Sequence, residues 1–277
     1  MTRKKKPPLQ SKRHAVTDDS GWTHITKGPK STINTQYTKR LLQQQKIRRE
    51  SLSLEAYSDK FEKYYTPKWR ESSCFRSLES ILEQDVLSAN NTITITRCVC
   101  LGLGSPTAGV EVSSWELAAL ISMLEILGTR HQIKEVIFQD PIFNATDRAF
   151  LKDRDYAIVE DPSAFSMIDG TAFLFAPHLE WIHLATALEG ASPSLCVCGD
   201  IDGFISDDSI AKKTSENVHR VLRDYTDQMT WKAMTDFDGG HNWCFFLCIY
   251  WLPGQEGAED DENMEQRTMT ASEELRP

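Results

Sequence analysis

The chain has 277 residues, 40% of them apolar, enough for one α/β domain of roughly 200 residues with tails or for two small domains. Its net charge of −9 is unevenly placed: residues 1–49 carry thirteen Lys/Arg against two acids, residues 254–277 two bases against eight acids, and the body between stands at −14. An acidic body is a poor match for a phosphate backbone, so if nucleic acid binds anywhere the basic N-terminal arm is the candidate.

Residues 1–35 are basic and rich in Thr, Ser, Pro and Gly with no apolar period, which predicts disorder. Arg3-Lys4-Lys5-Lys6 reads either as a solvated charged tail or as a nuclear localisation signal. No hydrophobic leader precedes the body, and the longest apolar run, near 243–252, is too short to span a bilayer. Seven cysteines, an odd number, sit mostly in apolar runs. Together these predict a reduced, soluble protein of the cytoplasm and/or nucleus, with no membrane partner.

Residues 36–91 predict N-terminal helices. A ragged apolar stripe runs from about Gln36 to Tyr64 and stops at Thr66-Pro67; this first helix could extend away from the body. A second starts near Ser72 and ends at Asn90-Asn91.

Residues 92–253 read as a Rossmann-like, three-layer α/β domain with a mostly parallel sheet. Thr92–Thr96 alternates and Cys98–Leu101 is continuously apolar, as a central parallel strand requires. Ser113-Ser-Trp-Glu116 fits a capping box, so a helix is expected to begin near Ser114 and stop at Gly128. Strands follow at Glu135–Gln139, Tyr156–Val159, Thr171–Ala176 and Leu195–Cys198. Helices are expected at Ala145–Arg154, Leu179–Leu188 and about Ser209–Tyr225, and a last strand within Cys244–Leu252. Residues 254–277 read as an acidic, disordered tail.

Ligands of doubly wound sheets sit outside the carboxyl ends of the strands. The residues expected there are Gly102, Gly104 and Ser105, then Asp140, then Glu160 and Asp161, then His178, then Gly199, Asp200 and Asp202. Each could instead open a turn or cap a helix. Gly102 and Gly104 match the first two glycines of a dinucleotide fingerprint, but Thr107 replaces the third and the loop runs long. Methyl-donor enzymes prefer an acid just before the first glycine, where this chain has Cys100-Leu101. Asp140 lies 38 residues after Gly102, further than a ribose-binding acid usually does. No cofactor is named by these motifs. His178 is the candidate acid/base, with a buried structural histidine as the alternative; His183, inside a helix, is expected to be structural. Cys98/Cys100 and Cys196/Cys198 fall on strands and read as core rather than metal ligands, and His241, Cys244 and Cys248 lack a partner pair.

Cys100-Leu-Gly-Leu-Gly-Ser105, Asp140-Pro-Ile-Phe143 with Asp147, Phe175-Ala-Pro-His178, and Gly199-Asp200 after an apolar strand resemble the SRR-like domain family, named for sensitivity to red light reduced. The likeness covers about 92–253, and the chain looks like a fungal member. It implies a Rossmann-like domain without an established reaction. It further implies a regulatory role linked to circadian or light signalling, gene expression or haem biosynthesis, in nucleus and cytoplasm. The family usually has Gly-Asn where this chain has Gly199-Asp200, which removes an amide donor. Two functions compete: a regulatory protein binding a small-molecule or nucleotide-type ligand or a protein partner, and an enzyme using a methyl donor or nicotinamide cofactor at the strand ends.

Overall fold

The computed structural model describes residues 13–17, 23–27, 52–88, 93–109, 111–207, 214–239, 242–244 and 246–254. It divides into two compact units, 1–51 and 52–277. In the first, where composition predicts no regular structure, β1 (Arg13–Thr17) pairs antiparallel with β2 (Thr23–Lys27), from Arg13 opposite Lys27 to Thr17 opposite Thr23. β-Branched Val16, Thr17, Ile25 and Thr26 suit that pairing. The helical stripe expected over 36–51 and the acidic tail beyond Gly254 lie outside the described residues.

The second unit is built on β3 (Arg97–Leu101), whose Cys98 to Leu101 are buried on both faces. Of the alternating stretch expected to be a strand, Thr92 lies outside the described residues and Ile93 to Ile95 are not strand; Thr96 bonds to Thr171 and Lys134 and leads into β3. After β3 come β4 (Glu135–Gln139), β5 (Ala157–Ile158), β6 (Ala172–Ala176), β7 (Leu195–Gly199), β8 (Thr230–Ala233) and β9 (Leu247–Trp251). Their order is β5-β4-β3-β6-β7-β9-β8. The first five run parallel; β9 is antiparallel to both β7 and β8. The sheet is therefore mixed α/β and mostly parallel. β8 carries no apolar signal, since all four of its residues are exposed, and sequence patterning misses it.

The period of two along each strand divides the core. Cys98, Cys100, Phe173 and Phe175 face one apolar cluster, and Val99, Leu101, Leu174 and Ala176 face the other. The first is covered by the N-terminal helices α1 (Leu54–Lys60), α2 (Thr66–Glu71) and α3 (Ser73–Ile81), by α4 (Glu111–Leu127) and by α5 (Ala145–Lys152). The second is covered by α6 (Trp181–Leu188), α7 (Ile201–Ser206) and α8 (Glu216–Thr226).

Three expectations about the helices are corrected. From Leu54 on, the first helix packs on the sheet: Tyr57, Phe61, Tyr65 and Trp69 are fully buried, with Tyr57 and Phe61 edge-on to Phe150. Thr66-Pro67 does not break it. A π turn at Phe61–Tyr65 joins α1 to α2 and shifts the hydrogen-bond register by one residue ahead of the proline, so Pro67 enters as the opening of a new helical stretch. Finally, α4 begins at Glu111, three residues before the expected start. Gly109 in the left-handed conformation (φ 78°) has already turned the chain, so Ser113, Ser114 and Glu116 lie inside the helix, all buried.

Candidate functional site

Strand order reverses between β3 and β6, where the connection from β3 leads one way to β4 and that into β6 leads the other. The carboxyl ends of these strands therefore define the expected ligand side. At β3, Gly102 and Gly104 are both left-handed (φ 71° and 77°). Their neighbours are protein. A Cβ on Gly102 would meet Leu179 Cδ1 at 3.1 Å, and one on Gly104 would meet Ser113 Oγ at 2.5 Å. The turn's amides are engaged as well. Gly102 N–H donates to the Gln139 carbonyl, Gly104 N–H to Asp140 Oδ2 (2.7 Å), Thr107 N–H to Asp147 Oδ1 (2.9 Å) and Ala108 N–H to the Ser105 carbonyl. These four donors are not available to a pyrophosphate.

The reason lies in a buried polar network. Asp147, 1% exposed, accepts from Ser105 Oγ (2.5 Å), Thr107 Oγ1 (2.7 Å), Thr107 N–H and Asn144 N–H. Asn144 caps α5 through Thr146 and Asp147 N–H, and its amide donates to Ser105 and Thr107 Oγ1. Ser105 is thus a strut between the β3 loop and α5. Asp140 Oδ1 accepts from Ile142 N–H (2.9 Å), a turn-opening role. Burial nonetheless raises its carboxyl above the ordinary range, partly offset by the Ile142 and Gly104 bonds.

Asp161 stands apart. It is exposed, follows the edge strand β5, and accepts from Gln139 Nε2 (2.9 Å). Three strand spacings, about 14 Å, separate the end of β5 from that of β6. Glu160, also exposed, pairs with Arg148.

The remaining residues do converge. Pro177–Ile182, Gly199, Asp200, Gly203, Phe204, Asp207, Thr214, Ser215, Val218, Phe246 and Leu247 line a cleft of about 910 Å³ beyond the ends of β6 and β7. Trp181 forms a wall: it stacks on Phe204 (4.2 Å between ring centres) and lies over Gly199, where a Cβ would meet its ring at 2.9 Å. Gly199 is therefore needed for this packing. Asp200 caps α7 by accepting from Gly203 N–H (2.9 Å), and its own N–H donates to the Phe246 carbonyl. An asparagine would cap equally well through its oxygen, so the departure from Gly-Asn preserves the role found here. Asp202 is held above the ordinary range by partial burial and by Asp200.

His178 lines the cleft with 44% of its side chain exposed. Nε2 lies 3.0 Å from the Trp243 carbonyl. A carbonyl only accepts, so Nε2 carries the proton and Nδ1 the lone pair. Burial lowers the imidazole below its ordinary value, against the opposing pull of the Trp243 bond. Beyond Nε2, at 3.3 Å, is Oε1 of Glu116. Glu116 is 2% exposed, and Oε1 has no hydrogen-bond partner. Burial first, then the nearby Asp140, push its carboxyl up to about 8. At neutral pH the contact joins a neutral acid to a neutral ring, not two ions. Sequence reading takes Glu116 for a capping residue; the signal against that was its isolation, the one ionisable side chain between Val112 and Leu124. Trp181, Phe204, Trp243 and Phe246 were not singled out either, because aromatic residues in apolar runs read as core.

His183 is exposed on α6 and not a packed residue. All seven cysteines are buried and free, with Cys74 and Cys244 Sγ atoms 3.3 Å apart. His241 lies outside the described residues. Among the described residues no cluster of three or more His, Cys, Asp or Glu is placed to hold a metal ion, and no helix is long and apolar enough to cross a membrane.

The family model for the SRR1 domain matches residues 55–268, so it extends over the N-terminal helices as well as the stretch from 92 to 253. A search of the curated proteins finds no match. With a match over more than half its length, the chain belongs to the SRR1-domain family.

Proposed function

We propose that this SRR1-domain protein is regulatory and acts by binding a small molecule in the cleft at the ends of β6 and β7. The observation that carries this is the cleft itself: about 910 Å³, within the size range of small-molecule sites, with apolar walls from Leu179, Trp181, Ile182, Phe204 and Val218 and polar groups from His178, Glu180, Asp200, Asp207, Thr214 and Ser215. The wider setting in light, clock or haem-linked regulation, in cytoplasm and nucleus, follows from family resemblance and belongs to the same proposal. Native mass spectrometry of freshly purified protein, followed by calorimetric titration of what co-purifies, tests it. Ile182 lines the cleft and is 57% exposed, so Ile182→Glu should leave the melting temperature unchanged. It should also weaken binding at least about tenfold, because a carboxylate replaces apolar contact. A protein that co-purifies with nothing and binds no member of a nucleotide and tetrapyrrole-precursor panel would overturn the reading.

One observation favours the second reading, an enzyme using a nucleotide-type cofactor at the same edge. Perturbed ionisable groups gather at catalytic sites, and Glu116 and His178 are such a pair. Against it stands the engagement of the glycine turn's amides within the protein.

A further inference from the structure

Three features of Glu116 and His178 call for explanation. A carboxyl group 2% exposed with an unpartnered oxygen is costly, and native chains keep few of them. That oxygen is 3.3 Å from a ring that lines the cleft. The ring's tautomer is set by the Trp243 carbonyl, which leaves Nδ1 with a lone pair and no hydrogen bond among the described residues, on a side chain 44% exposed. The helix after β3 supplies one partner and the segment after β6 the other, so the pair straddles the point where strand order reverses.

We propose that Glu116 and His178 form an acid–base pair serving the cleft. His178 Nδ1 accepts a proton from an acidic N–H or O–H of the bound small molecule, and Glu116 is the positioning residue that faces Nε2. This rests on the reading of the cleft as a ligand site and names the ligand class: an apolar molecule with an ionisable N–H or O–H. In the transfer, the ligand's N–H or O–H bond breaks and an N–H bond forms at Nδ1. The electron pair stays on the ligand as an anion beside the new imidazolium. The titratable groups around the pair are Asp140 at the end of β4, the thiols of Cys100 and Cys244 near Glu116, both kept neutral by burial, and Glu180, Asp200 and Asp207 along the cleft.

The test needs no ligand. Diethyl pyrocarbonate acylates a neutral imidazole nitrogen, so the pH profile of His178 modification in the full chain, mapped by mass spectrometry, reads the lone pair directly. Reactivity should rise through a midpoint below 6.5 and rise again near pH 8, as ionising Glu116 enriches the ring through Nε2–H. Glu116→Gln should keep the first rise and lose the second. No modification of His178 in the folded protein, or an upper step that survives in Glu116→Gln, would overturn the pair. Should that variant not fold, ring ¹⁵N shifts of the wild type decide: Nε2 protonated and Nδ1 bare at pH 7 supports the proposal, and the reverse tautomer ends it. A cleft that binds nothing would leave this profile intact, so the ligand reading and the pair fail separately.

Discussion

Single residues at the strand ends act on other parts of the protein more than on a ligand. Gly104 is the clearest. It needs a left-handed backbone, and it leaves room for Ser113 Oγ at 2.5 Å from where a Cβ would stand. Gly109 has the same backbone but open space around it. The two separate conformational cost from crowding. Gly109→Ala should cost about 1 kcal/mol, the penalty of positive φ alone, and Gly104→Ala roughly 2 to 3 kcal/mol. Urea unfolding of the two variants measures the difference; equal losses would mean Ser113 yields freely. The glycines were legible from sequence as positions needing glycine. The reason was not, because Ser113 and Leu179 reach them only through the packing of α4 and of the segment after β6.

At the scale of elements, the N-terminal helices belong to the same core as the sheet. Trp69 on α2 is fully buried beside Trp243 (5.5 Å between ring centres) and Phe237 (5.8 Å), both from the segment leading into β9. Trp69→Ala should therefore destabilise the chain by about 3 to 5 kcal/mol, as truncation of a large core residue does. If α1 to α3 were an appendage the loss would be under about 1 kcal/mol, and the unfolding midpoint would hardly move. The apolar stripe of these helices was visible in sequence, as was the break-prone Thr66-Pro67. What could not be read was that a π turn carries the chain past that proline. Nor could it be read that the stripe's partner is a loop over 160 residues away, since periodicity says which face is buried and not against what.

For the whole molecule, the Glu116 carboxyl links folding to pH. Its folded value is raised to about 8 from 4.5, so the folded state holds a proton that the unfolded chain has lost. Its contribution is fully present below about pH 4.5 and is lost as pH rises to about 8. His178 acts at the acid end with the opposite sign: held below 6.5, it takes its proton less readily when folded, so stability declines as pH falls through that range. Between pH 6.5 and 8 the wild type should lose about 2 kcal/mol, near 1.4 per pH unit, and Glu116→Gln should lose much less. Denaturant unfolding across that window checks it, and parallel slopes for the two proteins would place the Glu116 carboxylate in contact with water.

Sequence alone determined the class of fold and which residues stand at the carboxyl ends of the strands. Apolar strands ended by Gly, Asp and His, alternating with helical periods, admit few arrangements besides a mostly parallel sheet with helices on both faces, and the strand ends follow from it. Tertiary structure decided how those ends divide. Register and helix packing close Gly102 against Leu179, tie Gly104, Ser105 and Asp140 into internal hydrogen bonds, put Asp161 at a distant edge, and bring His178, Gly199 and Asp200 to one cleft. The pairing of Glu116 with His178 also belongs to the fold alone. The two are 62 positions apart, on elements that meet only where the strand order reverses, and the carboxyl's protonation follows from burial that no local pattern encodes.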